Sequence, residues 1–177
     1  METTASGTSV GVDNPYDHVE RCDYLTDDGR CRFAIEHADR DPSFARARNA
    51  DDYDCPVGTS SWEWRDCPKF QSIDRSHECV RCGIAEVRMA HDDDRPLLEI
   101  HHLSYRRDDS VADTDAGLAH EITVELCRWC HAKVHNAWAR IDDDVNPATE
   151  AIAEQQARRS KEHAEFGFHT AAERHQE

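Results

Sequence analysis

The residues best equipped for chemistry stand in "ELCRWCHAKVH", positions 125–135. Cys127 and Cys130 form a C-x2-C pair, His131 follows at once, and His135 lies four positions on. Upstream, "ECVRCG" holds a second pair, Cys79 and Cys82, and "EIHHL" holds His101 and His102. Two C-x2-C turns bring four thiolates to one structural zinc ion at ~2.3 Å in tetrahedral geometry. Gly83, directly after the first pair, fits the tight turn that lets backbone amides face the sulfurs. With the thiolates committed to zinc, His101, His102, His131 and His135 remain. A strand-end pair facing a helical i, i+4 pair can hold a second divalent ion and leave one imidazole over. An imidazole near neutral pKa beside a Lewis-acidic metal can activate water.

A second group of cysteines precedes these: Cys22, Cys31, Cys55 and Cys67. Their spacing lacks a C-x2-C turn, and Cys55 and Cys67 are each followed by proline, a feature also found at iron–sulfur ligands. The set reads as a second structural zinc site, ahead of an iron–sulfur cluster or a plain cysteine-rich core.

The elements that must position these groups are short. "AEVRMA" and "PLLEIHH" flank the polar "HDDDR" and predict a β-hairpin. "EITVELC" alternates Ile122, Val124 and Leu126 with polar neighbours, which predicts a further strand. After Cys127 the period becomes helical, with Cys130, Val134, Trp138 and Ile141 on one stripe and His131 and His135 on the next. Between Arg32 and Ala50 the sequence predicts one or two short helices, the second starting at Asp41-Pro42. "DCPVGTSSWEWRDCPKF" predicts a loop or short hairpin. Asn146 and Pro147 are placed to cap and open a polar, solvated helix at the C-terminal end. The chain therefore divides into a disordered stretch at 1–14, a cysteine-rich accessory module at 15–75, the histidine-bearing module at 76–140 and a polar helical tail at 141–177. The fold class is α+β.

Composition sets the setting. Of 177 residues, 38% are hydrophobic and 33% charged, which predicts thin cores that need staples. "METTASGTSVGVDNP" has neither the basic nor the apolar region of a secretory signal, and no run is long and apolar enough for a membrane span. A cytoplasmic location follows as the expectation, and in a reducing compartment the eight cysteines serve as metal ligands in preference to disulfides. The formal net charge of −16 comes largely from dispersed aspartates, while lysine is confined to positions 69, 133 and 161. Dispersed acidity of this kind keeps a protein soluble at high salt, and the composition resembles that of cytosolic proteins from halophilic archaea. The charge then reports habitat and does not exclude a nucleic-acid partner.

Taken in order, C-x2-C, "EIHH" and "ELCRWCHAKVH" resemble the HNH endonucleases with a four-cysteine zinc core and a ββα-metal active site, over about residues 79–138. The resemblance implies hydrolysis of DNA phosphodiester bonds with one catalytic divalent ion, Mg2+ or Mn2+. It implies that His102 is the general base, that His101 and His131 are metal ligands, and that His135 is a second helical ligand or a phosphate contact. Arg106 and Arg107 would grip flanking phosphates of the DNA. The middle asparagine of the family's pattern has no counterpart between His102 and Cys130, and His120, Asp115 or Glu121 are the candidates to replace it. The competing reading is a non-catalytic zinc-finger protein that binds nucleic acid or a partner; a redox or iron–sulfur protein centred on residues 22–67 ranks third.

Overall fold

The computed structural model describes residues 2–4, 6–59, 62–86, 96–104 and 120–166. It is a mixed α+β structure built on a small three-stranded sheet. The central strand, β3 (Glu121–Cys127), pairs in parallel with β1 (Gln71–Ile73) and antiparallel with β2 (Leu98–Ser104). The alternation in "EITVELC" makes β3 what it is: Ile122, Val124 and Leu126 are buried on one face. Burying each such aliphatic side chain contributes about 1.5–3 kcal/mol. Against that face packs α4 (Arg128–His135), which continues β3 without a loop and buries Cys130 and Val134. The helix stops at Asn136, and Ala137 takes a left-handed φ of 57°. Trp138 thus lies beyond the helix and is 75% exposed, off the stripe expected for it, whereas Ile141 returns to the core.

The cysteine-rich segment contributes α1 (Arg32–Glu36), α2 (Pro42–Ala50) and the short α3 (Pro56–Thr59). Helix α2 opens as its sequence predicts, with the Asp41 carboxylate accepting from the Phe44 amide at 3.0 Å and Pro42 in the first turn. The stretch around Trp62 forms no hairpin among the described residues; it makes α3 and a 3-10 turn at Trp64–Asp66. This segment does not stand apart from the rest. One core joins its Cys22, Cys67 and Phe70 to Leu97, Leu103, Ile122 and Val134. A smaller cluster holds Cys31, Phe33, Ala34 and Ala45.

Two expectations change. The N-terminal segment is not loose: Val10 and Val12 are buried in the main core, and the Gly11 carbonyl accepts from the Ile141 amide. Gly11 has φ +85°, and a Cβ there would lie 2.6 Å from Val134 Cγ1, so the backbone lies directly on α4. β2 pairs antiparallel with β3; the first arm and turn of the hairpin expected from "AEVRMA" and "HDDDR" lie for the most part in residues 87–95, outside the described residues. The C-terminal helix, α5 (Thr149–Phe166), begins two residues after Pro147 and is not fully solvated. Ile152 and Gln156 are buried one turn apart, and Arg128 donates to Ser160 Oγ at 3.1 Å, so one stripe of α5 docks beside α4.

Candidate metal centres

The junction of β3 and α4 places Cys127 and Cys130 just under one turn apart, facing the turn that carries Cys79 and Cys82. All four sulfurs lie within 4.8 Å of one another and could hold a metal ion. Cys82 and Cys127 are 3.8 Å apart, about the edge of a tetrahedron with 2.3 Å metal–sulfur bonds. Gly83, at φ +68°, donates its amide to the Cys79 carbonyl at 2.8 Å and closes the turn as anticipated. Thr149, at the start of α5, donates to the Cys82 carbonyl at 2.7 Å, and Arg81 reaches Cys130 Sγ at 3.5 Å. So tight a thiol group cannot ionise independently. Cys79 titrates well below an ordinary thiol because the Cys127, Cys130 and Cys82 side chains bond to its sulfur, and Cys127 is pushed up by the same contacts.

A second group forms on the same side of the sheet. On β2, Glu99, His101 and Leu103 share one face by the two-residue period. That face is turned to α4, where His131 and His135 stand one turn apart. One ring nitrogen from each of His101, His131 and His135 lies within 4.8 Å of the others, and this trio too could hold a metal ion. The ring centroids are 4.5–5.0 Å apart.

Each imidazole is held from behind. The Val10 carbonyl accepts from His101 Nε2–H at 2.9 Å, Glu99 Oε2 accepts from His131 Nδ1–H at 2.5 Å, and Thr8 Oγ1 lies 3.1 Å from His135 Nδ1. A carbonyl and a carboxylate can only accept, so these contacts assign the tautomers of His101 and His131 and leave His101 Nδ1 and His131 Nε2 as acceptors, the latter engaged by His135 Nε2. His101 is 1% exposed, and its Nδ1 has no hydrogen-bond partner among the described residues. Burial holds its pKa down to about 4, so the ring is neutral at physiological pH. His135 is also lowered, by burial first and by the neighbouring His131 second. His131 Nε2 and His135 Nε2 are 2.9 Å apart. Two nitrogens ~2.05 Å from one ion and at a right angle to each other have about that separation.

His102 is not in this group. Strand alternation turns it to the opposite face of β2, half-exposed, with Nε2 3.9 Å from Glu121 Oε1 on β3. Of the residues weighed as replacements for the missing asparagine, Glu121 is the one beside His102, and Gln71 on β1 donates to its other oxygen at 3.3 Å. His120 is buried elsewhere, 2.7 Å from the Tyr16 hydroxyl and edge-on to Phe70. Asp115, Arg106 and Arg107 lie outside the described residues.

The remaining cysteines, Cys22, Cys31, Cys55 and Cys67, are all buried and line one small cavity with Tyr24, Trp64 and Lys69. Their sulfurs are more loosely spaced than those of the first set, which alone among the cysteines meets the 4.8 Å limit. Burial pushes the Cys67 thiol up to about 11 and raises Cys22 and Cys31 as well.

A family model described as a family of unknown function, DUF7097, matches residues 1–174. The chain belongs to this family. No curated protein and no solved structure matches it. The stretch matched to DUF7097 takes in the N-terminal segment, both cysteine sets and all the clustered histidines. In this DUF7097 member three site residues carry roles that pattern-reading missed: Glu99, Thr8 and Val10. Glu99 was findable, two positions before His101 and hence on its face of the strand. Thr8 and the Val10 carbonyl were not, because a short polar segment carries no periodic signal to say where it docks.

Proposed function

We propose that this chain is a metal-dependent endonuclease of the HNH type, hydrolysing DNA phosphodiester bonds, with zinc on Cys79, Cys82, Cys127 and Cys130 as a structural ion. The observation that carries the proposal is the buried lone pair of His101 Nδ1. A bare buried acceptor is costly, about 1–3 kcal/mol, unless a ligand satisfies it. This one faces two further imidazole nitrogens, each backed by an oxygen. His101, His131 and His135 would hold a divalent ion, Mg2+ or Mn2+ in the cell, which when bound supplies Lewis acidity toward a phosphate oxygen. The strand–strand–helix arrangement of β2, β3 and α4 around that trio is consistent with a ββα-metal site.

In this reading His102 takes the proton of the attacking water. It is half-exposed and next to His101 on β2, a terminal strand of the sheet among the described residues, so a phosphate reaching round that edge would lie between the ion and His102. Glu121 stands where it can orient the ring and stabilise the imidazolium, the task an asparagine performs in the related enzymes. Arg106 and Arg107 would contact flanking phosphates. The acidic charge is compatible with this substrate at high salt, where a Debye length of ~3 Å at 1 M removes long-range repulsion.

One observation favours the second reading, a non-catalytic zinc module that binds nucleic acid or a partner: His102 points to the face opposite the histidine trio. Plasmid cleavage in molar KCl with Mg2+, Mn2+ or Ni2+ decides between them. The nuclease reading expects nicking or linearisation that falls about 10²–10⁴-fold in His102→Ala, with DNA affinity and zinc content kept. Full cleavage by His102→Ala removes its role as base, and an inert wild type under every metal leaves the binding module as the better account.

A further inference from the structure

We propose that Cys22, Cys31, Cys55 and Cys67 bind a second structural zinc ion, as a tetrathiolate independent of the histidine trio and of the Cys79 set. These residues come from four separate turns between positions 22 and 67, yet all four side chains reach one cavity and all are buried. The cavity measures ≈ 10 Å³, about the room of a single water-sized probe. That is room for one ion drawn between four sulfurs.

The backbone is already arranged around the sulfurs. The amides of Tyr24 and Gln71 face Cys22, those of Phe33 and Ala34 face Cys31, and that of Lys69 faces Cys67. The amide two residues on is used at each of these three positions. The same contact recurs in the other cysteine set, where the Ile84 amide faces Cys82. Thiols of a plain apolar core have no need of amides aimed at sulfur. Thiolates sharing a divalent ion carry excess negative charge, which N–H donors and a nearby cation spread. Lys69 lies at the cavity wall, its ammonium paired with Asp41 at 2.9 Å.

The packing around the site argues the same way. The satellite core here consists of Cys31, Phe33, Ala34 and Ala45, with Tyr24, Phe44 and Tyr53 packed against it. The helices here have only five, nine and four residues and lean on the main core through Cys22, Cys67 and Phe70, and short segments of this kind are ordinarily stapled by metal or disulfide. No disulfide joins the four cysteines, and four sulfurs on one small cavity match the ligand number and softness that zinc selects. Binding would contract the present, looser spacing onto the ion.

The test is a zinc count on full-length protein in the His131→Ala background, which disables the histidine trio. Two zinc ions per chain are expected, falling to one in His131→Ala/Cys55→Ser. Substitution by Co2+ should give the visible absorption of tetrahedral cobalt thiolate, halved by Cys55→Ser. Should Cys55→Ser fail to fold, the count in the parent variant decides alone. One zinc per chain in that parent, or bound iron absorbing in the visible, overturns the proposal. Neither outcome bears on nuclease activity, which the plasmid assay reads separately.

Discussion

Replacing Glu99 should weaken the histidine site without touching either cysteine set. Its carboxylate accepts from His131 Nδ1–H at 2.5 Å, and the Glu99 side chain is 36% exposed against 21% for His131. A charged acceptor at this position does two things: it fixes the tautomer that turns Nε2 inward, and it raises the basicity of that nitrogen. Outer partners of this kind typically change metal affinity 10–100-fold, or about 1.4–2.7 kcal/mol. Glu99→Gln keeps an acceptor oxygen and loses the charge, so it belongs at the low end; Glu99→Ala loses both and belongs at the high end. Thr8 provides the internal control. Its hydroxyl is neutral and 3.1 Å from His135 Nδ1, so Thr8→Val should cost no more than an ordinary neutral hydrogen bond, about 0.5–1.5 kcal/mol. Calorimetric titration of Ni2+, which favours imidazole, into zinc-loaded protein in molar KCl measures all three. The order expected is wild type, Thr8→Val, Glu99→Gln, Glu99→Ala. Unchanged Ni2+ affinity in Glu99→Ala would refute the claim that the trio is a metal site organised by its second ring nitrogens.

Cys127→Ser should remove the zinc of the Cys79 set and abolish the cooperative thermal transition of the full chain, because zinc affinity in such small modules is folding free energy of about 10–16 kcal/mol; retained zinc with an unchanged melting curve would contradict it. Asp41→Ala should destabilise the protein by about 1 kcal/mol at neutral pH through loss of the α2 cap. The Asp41 carboxyl is held well below the usual range, first by the Phe44 amide, then by Ser43 and Lys69. A depressed carboxylate stabilises the fold above its unfolded pKa of about 4 and stops doing so as pH falls through the lower folded value. The gap in melting temperature between wild type and Asp41→Ala should therefore narrow on acidification, and a gap that widens below pH 4 would count against the cap.

What could be read from the sequence follows the range of the underlying signal. The C-x2-C turns are local and stereotyped, so Cys79, Cys82, Cys127 and Cys130 were identifiable as one group before any coordinates. The two-residue period found β3, and the Asp41-Pro42 pair found the start of α2. Asn146-Pro147 fits a capping pattern, yet the chain only bends there and α5 opens at Thr149. The alternation on β2 separated His101 from His102, yet nothing in a spacing says which face meets the helix. The docking of Val10 and Val12 was invisible for a related reason. Two valines among small polar residues have no period, and only the space between α4 and β2, with Gly11 letting the backbone approach Val134, makes them core.

The same docking makes it unsound to treat the histidine-bearing module as a self-sufficient unit with appendages. The N-terminal segment supplies the Val10 carbonyl that sets the His101 tautomer and the Thr8 hydroxyl beside His135. From the cysteine-rich side, β1 pairs with β3, and its Gln71 donates to the glutamate beside His102. The Gln71 backbone carbonyl in turn accepts from the Asp23 amide, next to Cys22, and Phe70 packs between Tyr16, Trp64 and His120. Each histidine of the site is therefore positioned from outside residues 76–140, either directly or through one neighbour, except His131, whose partner Glu99 is on β2. A chain with 38% hydrophobic residues cannot fix four imidazoles by core packing alone. It does so by tying the site to a strap on one side and a thiol-lined segment on the other, which gives a physical reason for one family pattern to run from residue 1 to 174 instead of ending at the histidines.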